Sequence, residues 1–372
     1  MPALYNDRGD SIALTLRDLG WTDFFAAAFA PYAEQGFVPA RVVAQKGLFL
    51  VSTGEAEHFA DLAGKLRHEL AGPGGASGYP AVGDWVALRP PAGDGWALIQ
   101  AVLPRKSKFS RKVAGRRSDE QVVAANVDTI FLVSGLDGDF NPRRIERYLT
   151  AAWDSGAAPV VVLNKLDLCA DPDGCLLEAE SIAMGVPVHR VSALTGENCG
   201  ELAAYLGPGQ TVSLLGSSGV GKSTLINRLL GREVQRTLQV RAHDDRGRHA
   251  TTHRELFPMP TGGMLVDTPG LREIQLWEGG QGIESAFADV ESLAESCRFA
   301  DCCHHGEPGC AVEAAVENGT LAPERLESYR KLQRELRQVH LRQDALARLQ
   351  EKKKNKSLHK AAREHYRLKP RG

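Results

Sequence analysis

The 372-residue chain has little cysteine, little net charge and no long apolar run. Seven cysteines, four of them crowded between Cys297 and Cys310, cannot frame a disulfide scaffold and fit a metal site in a reducing compartment. Lys+Arg 45 against Asp+Glu 46 leaves a formal charge of −1, so no global field marks the chain for nucleic acid or membrane and only local patches can do so. The N-terminal segment carries Asp7, Asp10, Asp18 and Asp23 around the short apolar run Phe24 to Ala30, far below the ~20 residues of a membrane span. Neither a signal peptide nor a transmembrane helix is expected, and no internal repeat is found. What remains, 43% hydrophobic and 24% charged, is the composition of a folded soluble protein. At about 100–200 residues per domain it holds two or three.

From Phe37 to Leu103, short Val-, Leu- and Trp-rich runs are punctuated by Gly and Pro, which predicts a small β-barrel. The stretch from Pro104 to Arg117 holds seven basic residues and no acid and reads as a linker or surface loop. From Val127 to Gly270, buried-strand patterns (VDTIFLV, PVVVLN, VPVHRVSA, TVSLLG, MLVDTPG) alternate with helical stretches such as Arg143 to Asp154 and Ser223 to Gly231. That alternation predicts a parallel sheet covered by helices, with ligands beyond the carboxyl ends of the strands. After Ile274 the chain reads as helical. The fold class is multidomain: a barrel, an α/β P-loop domain and a mostly helical metal-binding domain.

Gly216, Ser217, Ser218, Gly219, Val220, Gly221, Lys222 and Ser223 spell GSSGVGKS, with Thr224 next, between the apolar strand Thr211 to Leu215 and the helical run LINRLLG. This is a phosphate loop in its proper strand–loop–helix context. Its glycines let successive N–H groups face phosphate oxygens at a helix N-terminus. Lys222 would reach the β/γ-phosphates and Ser223 would ligate Mg²⁺. DTPG at Asp267 to Gly270 ends a strand and places Asp267 where a carboxylate holds Mg²⁺, usually through water. NKLD at Asn164 to Asp167 follows another strand. There Asp167 can accept both N1–H and N2–H₂ of guanine, a pair adenine lacks. Asn164 would tie that loop to the phosphate loop, and the stem of Lys165 would cover the base. In Ser192, Ala193 and Leu194 a backbone N–H can meet guanine O6.

These residues resemble the translation-factor-related GTPases, but the guanine motifs precede the phosphate loop, so the domain looks circularly permuted. Permutation leaves the site intact because domain termini lie close together on the surface. Between phosphate loop and DTPG lies GRHATTHREL, Gly247 to Leu256, a switch-loop candidate in which Thr251, or Thr252, would ligate Mg²⁺. Many GTPases follow this motif with a Gln that orients water, whereas here the residue is Leu271. His249 is then the leading catalytic side chain.

SCRFADCCHHGEPGCAV offers Cys297, Cys302, His304 and Cys310 for one tetrahedral structural zinc, with Cys303 and His305 as neighbouring alternatives. Glu351 to Gly372 holds nine Lys/Arg against two Glu. With the basic stretch after the barrel, it favours contact with RNA.

A barrel, a permuted domain with GSSGVGKST and GRHxTT, and a finger reading DCxHxxEPGCAV together resemble the bacterial small ribosomal subunit biogenesis GTPases over nearly the whole chain beyond the first thirty-odd residues. The resemblance implies an oligonucleotide-binding (OB-fold) barrel and GTP hydrolysis to GDP and phosphate, stimulated by the small (30S) ribosomal subunit. It also implies rRNA contact and a role in late maturation of that subunit. The expected organisation is an extension over 1–35, the barrel over 36–108, the permuted GTPase domain over 109–275 and a zinc-binding helical domain with basic tail over 276–372. A cytoplasmic monomer is expected. The rival readings are a nucleotide-gated RNA-binding module with incidental hydrolysis and a large-subunit assembly GTPase, which should lack both barrel and zinc cluster. A P-loop kinase is disfavoured by Asp167.

Overall fold

The computed structural model describes residues 14–72, 75–91, 95–112, 120–233, 254–267 and 281–343. The chain divides into two compact units, Met1–Val113 with Asp119–Gln275, and Ala114–Ser118 with Leu276–Gly372.

In the first unit, helix α1 (Asp23–Ala33) precedes strands β1 (Val38–Lys46), β2 (Leu48–Ser52) and β3 (Glu57–Leu62), helix α2 (Gly64–Leu70), and strands β4 (Trp85–Arg89) and β5 (Ala97–Val102). Antiparallel pairs β1–β2, β2–β3, β4–β5 and β1–β4, with parallel β3–β5, close these five strands into an OB-like barrel. Alternate residues fill its interior, among them Ala40 and Val42, Phe49 and Val51, Ala60 and Leu62, Val86 and Leu88, Ala97 and Ile99. A period of two puts every second side chain on the inner face, which is why such short runs suffice. The apolar run Phe24 to Ala30 belongs to α1, whose Phe25 and Phe29, four residues apart, share a buried face. Trp21 and Phe25 pack on barrel residue Trp85, with ring centroids 4.7 and 5.8 Å away.

The basic stretch is more than a loop. Lys108–Lys112 forms β6 and pairs antiparallel with β7 (Glu120–Ala125). Lys108 faces solvent while Phe109 is buried. Ser110 is buried too, so a segment rich in charge can still seat residues against the core, and that packing outweighs its charge.

The α/β part runs β8 (Thr129–Gly135), α3 (Pro142–Ser155), β9 (Ala158–Asn164), α4 (Pro172–Ile182), β10 (Val188–Arg190), β11 (Thr211–Leu215), α5 (Lys222–Leu230), β12 (Arg254–Pro258) and β13 (Met264–Asp267). The sheet order is β10-β9-β8-β11-β13-β12, parallel except for β12, which runs antiparallel to β13. Strand β9, which carries the guanine motif, precedes the phosphate-loop strand β11, so the GTPase-type domain is circularly permuted. Strand β12 also pairs antiparallel with β1, so barrel and α/β sheet are one continuous sheet.

In the second unit, α6 (Gln281–Ala286), α7 (Ala288–Ala294), α8 (Ala311–Glu317) and α9 (Pro323–Gln343) bury Phe287, Val290, Val312, Leu326 and Tyr329. Arg325 is buried with them, stacked 4.2 Å from the Phe287 centroid and paired with Asp289. Among the described residues no helix is long and apolar enough to cross a membrane.

Candidate functional site

The phosphate loop leaves a fully buried central strand, β11, and enters α5. Two of its glycines are sterically required. Gly221 has φ +92°, and a Cβ there would stand 2.3 Å from Asn164 Nδ2; a Cβ on Gly216 would stand 2.3 Å from the Val133 carbonyl oxygen. Lys222 Nζ donates to the carbonyls of Gly216 (2.7 Å) and Ser217, curling the loop around its own cation. The Ser217 hydroxyl accepts from Arg144 Nη1 at 2.7 Å, and the same nitrogen donates to Asp139 at 2.6 Å. The Asp139 hydrogen bond holds the Arg144 guanidinium above its ordinary pKa. Ser223 and Thr224 occupy the first turn of α5, half-buried, where free helix N–H groups gather.

Asn164 ends β9 almost fully buried. Its Nδ2 donates to the Val220 carbonyl at 2.8 Å, and its Oδ1 accepts from Ala193 N at 2.9 Å. One side chain thereby joins phosphate loop, NKLD and the 192–194 segment. Lys165 takes a left-handed backbone (φ +67°) and pairs with Asp137. Asp167 accepts from the Ser192 hydroxyl. From α5, Arg228 donates to the carbonyls of Ala193 (3.1 Å) and Leu194, and the Leu194 side chain is exposed. Strand β13 lies parallel beside β11, so Asp267 emerges at the same sheet end as the phosphate loop. The result is a cradle of backbone N–H groups, a lysine and two carboxylates, suited to a guanine nucleotide with a divalent cation.

In the second unit, the ligand atoms of Cys297, Cys302, His304 and Cys310 lie within 4.8 Å of one another. His304 Nδ1 is 3.7 Å from Cys297 Sγ and 3.4 Å from Cys310 Sγ, and those sulfurs are 4.0 Å apart. Four donors at ~2.0–2.3 Å around a tetrahedral centre stand roughly 3.3–3.8 Å apart, so the cluster fits a metal ion. Burial holds the His304 pKa below its ordinary value, leaving the ring neutral and able to donate a lone pair. Cys303 is exposed, with its thiol on the Asp301 carbonyl, and His305 Nδ1 lies against the His304 carbonyl. Neither belongs to the cluster.

The family model described as RsgA GTPase matches residues 102–277. The small ribosomal subunit biogenesis GTPase RsgA of Opitutus terrae is 49% identical over 365 residues, covering 95% of this chain and 99% of its own. Its Streptomyces coelicolor counterpart is 44% identical, covering 92% of each. The chain belongs to the RsgA GTPase family. Among solved structures, YjeQ from Thermotoga maritima matches with TM-score 0.61 and 30% identity over 81% of this chain and 98% of its own. YloQ, a circularly permuted GTPase, shares the fold at 21% identity and TM-score 0.59, over 81% of this chain and 96% of its own.

For this RsgA GTPase chain, the structure brings Asn164, Lys165, Asp167, Ser192, Ala193, Leu194, the loop 216–224 and Asp267 to one end of the sheet. His249, Thr251, Thr252, Leu271 and the basic tail 351–372 lie outside the described residues. Sequence reasoning missed Arg144 and Arg228. Neither sits in a motif; each reaches the loops from a helix face that only the packed sheet defines. Cys199 is buried, its thiol donates to the Ser192 carbonyl at 3.4 Å, and burial raises its pKa.

Proposed function

We propose that this chain hydrolyses GTP during late maturation of the small ribosomal subunit, contacting its rRNA and turning over faster when bound to it. The observation that carries the reading is Asn164, which locks the guanine-motif and phosphate loops into one cradle, in a chain that RsgA relatives match over nearly its whole length. Asp167 selects guanine, because an adenine would leave a desolvated carboxylate unpaired. Lys222 holds the phosphates. Ser223, Thr251 and Asp267 would hold Mg²⁺, which when bound would supply neutralisation of charge on the phosphates. His249 positions the attacking water, since Leu271 cannot. Cys297, Cys302, His304 and Cys310 hold one structural zinc, because three thiolates and an imidazole leave no open position. The barrel spans 36–108, the GTPase domain 109–275 and the zinc-binding domain 276–372. The protein works as a cytoplasmic monomer.

The test is GTP turnover by the purified chain alone and with purified small or large subunits. Stimulation by small subunits is expected, and His249→Ala should lose most of it while keeping GTP affinity. Equal affinity for ATP and GTP, or stimulation only by large subunits, would overturn the reading.

A further inference from the structure

Arg41 of β1 is 1% exposed and donates to three backbone carbonyls and one hydroxyl. It donates to four segments. Its Nε meets the Gly83 carbonyl at 3.2 Å, two residues ahead of β4. Its Nη2 meets the Asn126 carbonyl at 3.0 Å, after the β6–β7 hairpin. Its Nη1 meets the Leu19 carbonyl, ahead of α1, and the Thr211 hydroxyl at 2.9 Å, the first residue of β11. The guanidinium also lies 5.7 Å from the Trp85 ring centroid. Burial lowers its pKa to about 10, with the Asp128 and Asp84 charges opposing that shift, so it remains a cation at neutral pH. A buried cation satisfied by carbonyls from several segments holds only where all of them stay in place. The packing is as close: Gly83 has φ +93°, and a Cβ there would stand 2.0 Å from the Ala125 carbonyl oxygen.

A second connection starts on the same strand. Ala44 of β1 is in register with Glu255 of β12, and Glu255 is in register with Asp267 of β13. A barrel residue thus sits two strand spacings, about 10 Å, from the carboxylate assigned to Mg²⁺. Strand β1 therefore reaches both strands whose ends form the phosphate site: β11 through Arg41 and Thr211, β13 through β12.

We propose that Arg41 is a positioning residue that couples the barrel to the phosphate-loop strand, so that nucleotide binding stiffens β1 and a ligand on the barrel changes nucleotide affinity. The coupling is reciprocal, as linkage between two sites must be. It deepens the GTPase reading and rests on it. Strand β11 is five residues long, too short and too well paired to bend, so a shift at Thr211 carries through to Gly216.

The experiment is hydrogen exchange on the full chain with Mg²⁺ and either GDP or a non-hydrolysable GTP analogue, following the β1 amides 40–45, with β3 as internal reference. In the unsubstituted chain, nucleotide should slow β1 exchange about tenfold and β3 far less. Arg41→Lys keeps the charge but loses the fork that reaches several carbonyls. Thr211→Val removes one hydroxyl at nearly constant shape and keeps the proposal testable should Arg41→Lys not fold. Both should abolish most of the nucleotide-dependent slowing while nucleotide affinity changes less than about threefold. A merely structural Arg41 would speed exchange in β1 and β3 alike and leave the nucleotide effect in place. That result, or β1 exchange indifferent to nucleotide in the unsubstituted chain, overturns the proposal. A chain that binds no guanine nucleotide overturns the GTPase reading instead.

Discussion

The phosphate loop and the cysteine cluster hold their shapes by different means. Around Gly216–Ser223 the protein satisfies itself: Lys222 and Asn164 bond loop carbonyls, Arg144 bonds Ser217, and a large apolar cluster including Phe131, Val162, Val212 and Leu225 backs the sheet. Around Cys297–Cys310 three sulfurs and a nitrogen stand close enough to share one metal ion. A cradle of the first kind is preorganised before its ligand arrives. One of the second kind would draw folding free energy from a bound metal.

The sharpest way to break that contrast is to remove the metal. Structural zinc contributes about 10–16 kcal/mol in small finger peptides, so a strong chelator should abolish exchange protection over 281–343 while residues 120–233 keep theirs. Persisting protection in the second unit would show that its apolar core suffices alone. Next in size is Asn164→Ala, which leaves the buried Val220 carbonyl and Ala193 N–H without their side-chain partner. At about 1–3 kcal/mol per unsatisfied buried group, we expect a loss of roughly 2–6 kcal/mol in denaturant unfolding and weaker guanine nucleotide binding. Unchanged affinity would mean that the loops hold their places without this bridge.

Acidity should separate the two sites less strongly. Because the His304 pKa lies below its ordinary value of 6.5 in the folded protein, the unfolded chain takes up its proton first. The stability due to the neutral ring is therefore present above that value and lost as pH falls below it, and protons also compete for the thiolates. Metal content and the melting temperature of the second unit should fall together as the pH is taken down through 6.5 and below. A melting temperature flat across that window would refute the linkage. The smallest effect belongs to Cys303→Ser: exposed and turned to the Asp301 carbonyl, it should change stability by less than about 0.5 kcal/mol and leave metal stoichiometry as it was.

Much of both sites was legible in the chain because each is written over a few consecutive residues. GSSGVGKS needs glycine where φ is positive and a Cβ would collide, and Cys297, Cys302, His304 and Cys310 are close in sequence before they are close in space. The barrel and the alternating α/β pattern were legible through periodicity. Less legible was anything that depends on what a segment packs against. The stretch from Pro104 read as a linker because its charge hid Phe109, whose burial makes it half a hairpin. The N-terminal segment carried no assigned role, yet Trp21 and Phe25 cover Trp85.

The sequence by itself determined the local backbone of the loops, the clustering of the candidate metal donors and the order of the permuted motifs, because these follow from steric rules and spacings within a few residues. Only the tertiary structure decided that Arg41 would meet Thr211, 170 residues away, that Arg144 would reach Ser217, and that Ala44, Glu255 and Asp267 would fall on one line across three strands. A charged side chain states its need for partners but not where they are. That answer exists only once distant strands have paired and water has been excluded between them.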